Sequence, residues 1–212
     1  MLRPHRQDWT GNLQIITIID AGIGNPSSIS NMLNYLGVDV ELVKSPLSGK
    51  RYSHLVLPGI GSFDSGIKKL NDSGWSQFIV ENFESSKILG ICLGMQLLTC
   101  GSEEGTESGL SLVPAYCKKF DSTRLRTPHI GWNRVEVLKK NHLVHESDNS
   151  QKFYFSHSYY VHSENAEISS LKSTYGEEFV AGFEIGNIMG VQFHPEKSHK
   201  FGMKLLNNFS QL

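Results

Sequence analysis

Cysteine is scarce in this chain: its 212 residues include three, at no regular spacing. An odd and irregular set argues against a disulfide framework and predicts reduced thiols in the cytoplasm. Because free cysteine is among the most buried residue types, we expect Cys100 and Cys117 to lie in the core.

An excess of charge is also lacking, because 20 Lys and Arg residues oppose 21 Asp and Glu residues. Without a dense basic run, the sequence gives no electrostatic support for binding nucleic acid or a membrane surface. Long hydrophobic runs are missing as well. The longest apolar stretch, residues 88–100, contains two glycines and a glutamine and is too short to span a bilayer.

The N-terminal residues 1–13 are polar and lack the apolar segment of a signal peptide. We expect them to form a flexible extension. No linker or internal repeat divides the remainder, so residues 14–212 are predicted to form one domain, which is large enough to bury a core.

The first half of the chain contains short apolar segments that alternate with helix signals. Residues 15–20 are β-branched, and Asn25 and Pro26 are a suitable N-cap and first helical residue. We predict strands at 15–20, 38–43, 54–57 and 88–91 and helices at 26–36, 62–70 and 74–84. The short connections are typical of a doubly wound parallel sheet flanked by helices.

The second half is rich in aromatic and β-branched segments that are separated by turn-forming residues. This pattern predicts added antiparallel strands and hairpins, followed by a closing helix. The strands are expected at 117–121, 135–139, 153–161, 179–185 and 187–193, and the helix at 199–209. The fold class is therefore α/β, a parallel sheet with added antiparallel strands.

Cys92 lies between two glycines in Gly90-Ile91-Cys92-Leu93-Gly94, at the end of a predicted strand. This spacing is typical of a nucleophile elbow, in which flanking side chains would collide with the sharp strand-to-helix turn. At the start of a helix, the thiolate is favoured, and the Leu93 N–H can face a developing oxyanion. A buried structural thiol is the alternative interpretation.

A base for that thiol is available in His194-Pro195-Glu196. At a strand end, residues two apart point the same way, so Glu196 can accept a hydrogen bond from His194 and stabilise the imidazolium. Alone, this tripeptide would be a strand-end turn. Together with the elbow it predicts a Cys–His–Glu triad, because nucleophile and base come from different strands at one sheet edge.

A glycine loop follows the third strand, at Pro58-Gly59-Ile60-Gly61. Strand ends of an α/β sheet share one crevice, so this loop can supply a second oxyanion donor near Cys92, although it would otherwise be a tight turn. For residues 155–160, alternation predicts a packed strand with the aromatic residues on one face and His157 on the other.

Metal and cofactor signals are weak. His142 and His145 precede Glu146 in a polar segment that offers no further ligand at useful spacing. The Gly22-Ile23-Gly24 segment lacks the third glycine of a dinucleotide fingerprint. We expect no metal and no cofactor.

Together, the elbow and the His-Pro-Glu segment resemble the class I, triad-type glutamine amidotransferases, whose fold is flavodoxin-like. The closer resemblance is to the glutaminase subunits of imidazole glycerol phosphate synthases, and it covers residues 15–209. It is carried by Ile19-Asp20-x-Gly22-x-Gly24-Asn25, Pro58-Gly59-Ile60-Gly61-Ser62-Phe63, Pro128-His129-Ile130-Gly131-Trp132-Asn133, His157-Ser158-Tyr159-Tyr160 and Gly190-Val191-Gln192-Phe193-His194-Pro195-Glu196-Lys197-Ser198.

The resemblance implies roles for particular residues. Cys92 would attack the side-chain amide of glutamine to form a γ-glutamyl thioester, His194 would pass the proton to the departing ammonia, and Glu196 would orient His194. The oxyanion hole would use Gly59, Ile60 and Leu93. The glutamine-binding residues would be Gln96, Glu104, His157, Ser158 and Tyr159.

The resemblance also implies a partner. Ammonia would pass to a (β/α)8 barrel cyclase subunit in a heterodimer that makes imidazole glycerol phosphate and AICAR in histidine biosynthesis. Trp132 and Lys197 match positions that face that subunit, although a core tryptophan and a solvated lysine are the alternatives. The chain alone would be nearly inactive, and the partner with its ligand would activate it.

Three other functions stay open at this stage. A paralogous glutaminase subunit supplies ammonia to a sugar amidotransferase of surface-polysaccharide biosynthesis, and residues 198–203 favour that group. A stand-alone cysteine hydrolase would need neither Glu104 nor a barrel partner. A non-catalytic binding module would not need an intact triad.

Overall fold

The computed structural model describes residues 15–145 and 151–212. The predicted extension at 1–13 and Glu146 of the weak histidine cluster lie outside these residues. Across the described ranges, no helix is long and apolar enough to cross a membrane.

The described residues form twelve strands and five α-helices. The strands are β1 (Ile15–Ile19), β2 (Asp39–Val43), β3 (His54–Gly59), β4 (Lys87–Cys92), β5 (Tyr116–Lys119), β6 (His129–Arg134), β7 (Glu136–Val137), β8 (Lys152–His157), β9 (Tyr159–His162), β10 (Ser169–Tyr175), β11 (Glu177–Ile185) and β12 (Ile188–Val191). The helices are α1 (Pro26–Tyr35), α2 (Phe63–Asp72), α3 (Trp75–Asn82), α4 (Leu93–Leu97) and α5 (His199–Phe209), with 3-10 turns at Ala166–Ile168 and Pro195–Lys197.

The centre of the fold is a parallel sheet in the order β2-β1-β3-β4-β12. Its strands carry apolar side chains on both faces, as expected for a sheet covered on both sides. Helices α1 and α5 pack on one face, where Ile29 and Leu206 join the core. Helices α2, α3 and α4 pack on the other, where Ile67 and Trp75 are buried. The predicted doubly wound α/β fold is confirmed.

Antiparallel strands extend the sheet beyond β12 in the order β11-β10-β7, and β9 joins β11 to β5. The β11–β12 hairpin turns at Gly186-Asn187, where Gly186 has φ of 57°. Strand β12 is antiparallel to β11 but parallel to β4. It therefore joins the two halves of the sheet and brings its own end beside the end of β4.

Four features of the second half differ from the sequence prediction. Residues 153–161 form two strands, β8 and β9, in different sheets, because the chain changes sheet at Ser158. Residues 135–139 form only the two-residue β7, and β6 and β10 were not predicted. The alternation of apolar and polar residues is weak in β6, which contains a glycine and several polar residues. This strand is therefore defined by its pairing with β8 and not by its own sequence pattern.

The cysteine prediction is correct for one residue and wrong for the other. Cys117 is buried, whereas Cys100 is exposed at the rim of a groove beside β5. Composition cannot distinguish the two, because the burial of a small side chain depends on what packs over it.

Candidate active site

Cys92 occupies a strained turn between β4 and α4. Its φ of 54° and ψ of −110° are unusual for a residue with a side chain. A Cβ on Gly90 would approach the Gly94 carbonyl oxygen to 2.7 Å, and one on Gly94 would approach the Leu57 carbonyl oxygen to 1.9 Å. Both flanking glycines are therefore required, and the predicted elbow is present.

His194 reaches the elbow because β12 pairs with β4 in parallel, with Val191 opposite Ile91. Its Nδ1 lies 2.8 Å from Glu196 Oε1, and both side chains are buried. Glu196 belongs to the 3-10 turn Pro195–Lys197, whereas the sequence pattern predicts the extended conformation of a strand end. The predicted contact between His194 and Glu196 is present. It is formed by the 3-10 turn and not by the alternation of side chains along a strand.

The protonation of His194 reflects competing influences. Burial lowers its pKa, but hydrogen bonds to Cys92 and Glu196 and the charges of both raise it well above its usual value. The imidazolium is therefore favoured at neutral pH. With Nδ1 on Glu196, Nε2 is the nitrogen that can exchange a proton with the Cys92 sulfur.

Ser198 holds the histidine backbone in place. Its buried hydroxyl donates to the His194 carbonyl at 2.6 Å and accepts from the Tyr154 N–H at 3.0 Å. The His194 N–H in turn donates to the Tyr154 carbonyl at 2.8 Å. The turn that carries His194 is thus attached to β8 by two hydrogen bonds, both to Tyr154, and closed internally by a third.

The predicted oxyanion residues lie next to the elbow. Gly59 pairs with Cys92, and a Cβ on Gly59 would lie 2.3 Å from the Gly94 nitrogen. Ile60 is 50% exposed and lines the same cavity as Leu93. The loop backbone and the elbow backbone are therefore in close contact.

A cavity of about 240 Å³ opens in front of Cys92. All five predicted glutamine-binding residues and both members of the Cys–His pair line it. These residues are Gln96, Glu104, His157, Ser158 and Tyr159, together with Cys92 and His194.

Glu104 is the carboxylate that lines the cavity, and its Oε2 accepts a hydrogen bond of 2.8 Å from the Phe63 N–H at the start of α2. That contact connects the glutamate to the chain segment that follows the glycine loop. In the sequence alone, Glu104 resembles an ordinary solvated charge.

His157 lies on the buried face of β8 with Phe153 and Phe155, so the prediction that it faces away from the aromatic residues is wrong. Its Nδ1 is 2.8 Å from the Tyr159 carbonyl, and its Nε2 is 3.0 Å from His129 Nδ1. A carbonyl only accepts, so His157 carries its proton on Nδ1 and His129 donates to it. The histidine is buried because its ring is fully hydrogen-bonded.

Two residues at the site belong to motifs named in the sequence analysis, but no role was predicted for them. His129 supports His157, and Gln192 lies fully buried against Cys92. A polar side chain directly after the apolar segment Ile188–Val191 was the available signal for Gln192, since buried polar groups need partners.

Trp132 and Lys197 lie at the surface, and both contact the ring of Tyr154. Trp132 is 46% exposed and stacks on His199 with the ring planes 2° apart. Lys197 lines the cavity, with its Nζ 5.5 Å from the centre of the Tyr154 ring. Trp132 is thus not a core residue.

Of the weak histidine cluster, the structure describes His142 and His145. The His142 Nδ1 contacts the Glu184 carboxylate. The described part of the chain contains no group of three or more His, Cys, Asp and Glu residues able to hold a metal ion.

Buried neutral histidines predict that acid destabilises this fold. Burial is the main cause that lowers the pKa of His54 to about 4, of His129 to about 4 and of His157 to about 3. The unfolded chain protonates these rings below about pH 6.5, so it binds more protons than the folded chain, and stability is lost as pH falls. His194 affects stability in the opposite direction. Because its pKa is raised in the folded chain, it adds stability that is lost as the pH rises towards that pKa.

We expect the free energy of unfolding, measured in urea, to fall between pH 6.5 and 5 with a slope approaching about 4 kcal/mol per pH unit, which is about 1.4 for each of the three rings. A His54→Gln variant should have about one third less slope. An unfolding free energy that is flat across this range would contradict the assignment.

Comparison with known proteins agrees with this geometry. A family model of class I glutamine amidotransferases matches residues 17–211, and the chain belongs to that family. It is 44% identical over 198 residues to imidazole glycerol phosphate synthase subunit HisH 2 of Methanococcus maripaludis, covering 92% of this chain and 98% of the relative.

It is also 40% identical to the HisH subunit of Leptospira interrogans, covering 93% of this chain and 100% of the relative. The structure of PurLQS from Thermotoga maritima shares the fold, with a TM-score of 0.72 at 17% identity over 92% of this chain and 96% of that one.

Proposed function

We propose that this chain is the glutaminase subunit of an imidazole glycerol phosphate synthase, which hydrolyses glutamine and passes the ammonia to a barrel-shaped cyclase subunit. The observation that carries the proposal is the Cys92–His194–Glu196 triad at the end of a cavity lined by the five glutamine-binding candidates. The near full-length similarity to HisH subunits supports the choice of complex.

The first half of the reaction forms a thioester. The Cys92 thiolate attacks the side-chain carbonyl carbon of glutamine, and His194 Nε2 gives its proton to the departing nitrogen, which leaves as ammonia. Glu196 stabilises the imidazolium from Nδ1, as the 2.8 Å contact permits. Water then attacks the thioester, His194 takes its proton, and glutamate leaves with the thiolate restored.

The tetrahedral intermediates need donors for the oxyanion. The Leu93 N–H follows the nucleophile directly, and Gly59 and Ile60 contribute the second donor from the adjacent loop. Two donors beside one carbonyl position would lower the barrier to both thioester formation and hydrolysis.

The α-ammonium group of glutamine would find hydrogen-bond acceptors at Glu104 and Gln96. The Gln96 Nε2 donates to the Tyr159 carbonyl at 2.9 Å and to Gln192 Oε1 at 3.0 Å, which uses both of its hydrogens. Its own carbonyl oxygen is left for the cavity. Both residues therefore suit the α-ammonium group, and His157, Ser158 and Tyr159 form the opposite wall.

The partner would cover the surface around Trp132 and Lys197. An exposed tryptophan and a lysine stem over Tyr154 offer the aromatic and amphipathic contacts that are enriched at protein interfaces. Covering this surface would close the cavity mouth and keep ammonia from solvent.

A glutamine-analogue electrophile tests the proposal. With the barrel partner present, we expect one adduct per chain, on Cys92, with much slower labelling of the chain alone, and glutamine itself should protect. Cys100 is the internal control, because it is exposed but lies in a different groove.

If the reagent labels a residue other than Cys92, or labels no residue when the partner is present, the proposed amidotransferase activity is wrong. Rapid turnover by the chain alone would favour a stand-alone hydrolase. Co-purification with a sugar amidotransferase would indicate that the chain supplies ammonia for surface-polysaccharide biosynthesis instead.

A further inference from the structure

Gln192 is a fully buried amide beside the reactive sulfur. It follows β12 directly, two residues before His194, and its backbone N–H donates to the Ala181 carbonyl at 2.9 Å. Its side-chain Nε2 lies 3.7 Å from the Cys92 Sγ, within hydrogen-bonding distance for sulfur.

The orientation of this amide follows from a chain of partners. The Tyr159 carbonyl can only accept, so the group that Gln96 presents to it is the NH2, at 2.9 Å. The same nitrogen lies 3.0 Å from Gln192 Oε1. Because the oxygen of Gln192 is thereby occupied, its NH2 group is the one that faces the sulfur.

We propose that Gln192 donates an N–H hydrogen bond to the Cys92 thiolate and so holds the nucleophile in its reactive form and orientation. The proposal rests on the proposed function, in which this sulfur is the nucleophile. A bond from a neutral amide favours the anion over the thiol, since the thiol is the weaker acceptor.

The surroundings leave a specific role for this donor. The charged and titratable groups that face the sulfur or share its cavity are His194, Lys197, Glu104, His157 and Tyr159. His194 must release its proton to the departing nitrogen during each turnover. Gln192 keeps its N–H throughout, so it stabilises the sulfur anion when the thioester breaks and the thiolate is expelled again.

The chain of amides also connects substrate to nucleophile. Gln96 lines the cavity and holds the oxygen of Gln192, and the Tyr159 carbonyl anchors Gln96. A ligand that contacts Gln96 is therefore linked to Cys92 through two hydrogen bonds, from Gln96 to Gln192 and from Gln192 to the sulfur.

The test is the pH dependence of Cys92 alkylation by iodoacetamide, followed by mass spectrometry in a Cys100→Ser background. For Gln192→Met, which fills the site without a donor, we expect the apparent thiol pKa to rise by about one unit or more. This corresponds to an about tenfold slower reaction at neutral pH that converges at high pH, because hydrogen bonds to charged groups are stronger than those between neutral groups. Gln192→Glu keeps the acceptor for Gln96 but faces the sulfur with an oxygen, so its shift should be larger.

An unchanged titration curve in a variant that still unfolds cooperatively would overturn the proposal. If both variants fail to fold, the unsubstituted chain still answers the question. The side-chain amide ¹⁵N resonance of Gln192 should follow the thiol titration and stop doing so in Cys92→Ala, and its failure to respond would also overturn the proposal. Alkylation needs no glutamine turnover, so this result is independent of whether the chain is a glutaminase.

Discussion

Replacing Cys92 with alanine is expected to reduce glutamine hydrolysis by roughly four orders of magnitude or more, because a triad without its nucleophile retains only binding and oxyanion stabilisation. The measurement is glutamate release by the complex with the proposed barrel partner. Since ammonia enters the second reaction after the thioester step, the same complex should keep its synthesis when ammonium salt replaces glutamine.

The matched control is Cys100→Ala, which removes an exposed thiol from the groove beside β5 and should leave both reactions unchanged. If the Cys92→Ala complex hydrolysed glutamine at a rate within tenfold of the unsubstituted complex, the sulfur would not be the nucleophile. Loss of the ammonium-dependent reaction as well would point to a damaged interface.

Replacing Gly94 with alanine is expected to lower the free energy of unfolding by about 3 kcal/mol, because the backbone and not a flexible side chain must move. The added Cβ would lie 1.9 Å from the Leu57 carbonyl oxygen in β3. Helix α4 would have to separate from β3, which also displaces the elbow. Urea unfolding and glutaminase activity should therefore decline together.

Gly37→Ala provides the comparison. Gly37 has φ of +75° at the end of α1, and its Cβ would meet nothing within 4 Å. Only the cost of the left-handed backbone remains, about 1 kcal/mol, and activity should be unaffected. Equal losses in the two variants would show that contact with β3 is not the reason for the glycine at 94.

The parallel half of the fold was predictable because each segment carries its own signal. β1 is a continuous β-branched run, α1 begins at an Asn-Pro pair, and α5 was predicted with the bounds the structure gives it. The antiparallel half was less predictable. Strand β6 has little apolar alternation and exists because β8 supplies its hydrogen bonds over six residue pairs.

The residues of the site also fall into a group that was predictable from the sequence and a group that was not. Cys92, His194 and Glu196 were predictable because their chemistry depends on residue type and local spacing. Ser198, His129 and Gln192 act through partners that are distant in sequence, so their roles became visible only once Tyr154, His157 and Cys92 stood beside them.

The sequence alone therefore determined the candidate nucleophile, its candidate base and the parallel sheet, since glycine spacing, a His-Pro-Glu segment and apolar periodicity act over a few residues. The tertiary structure decided which groups surround the nucleophile. Strand β12 had to pair with β4 before Gln192 could meet Cys92, and β8 had to leave the main sheet before His157 could bond to His129. Such contacts depend on pairing between distant segments, which a local pattern does not specify.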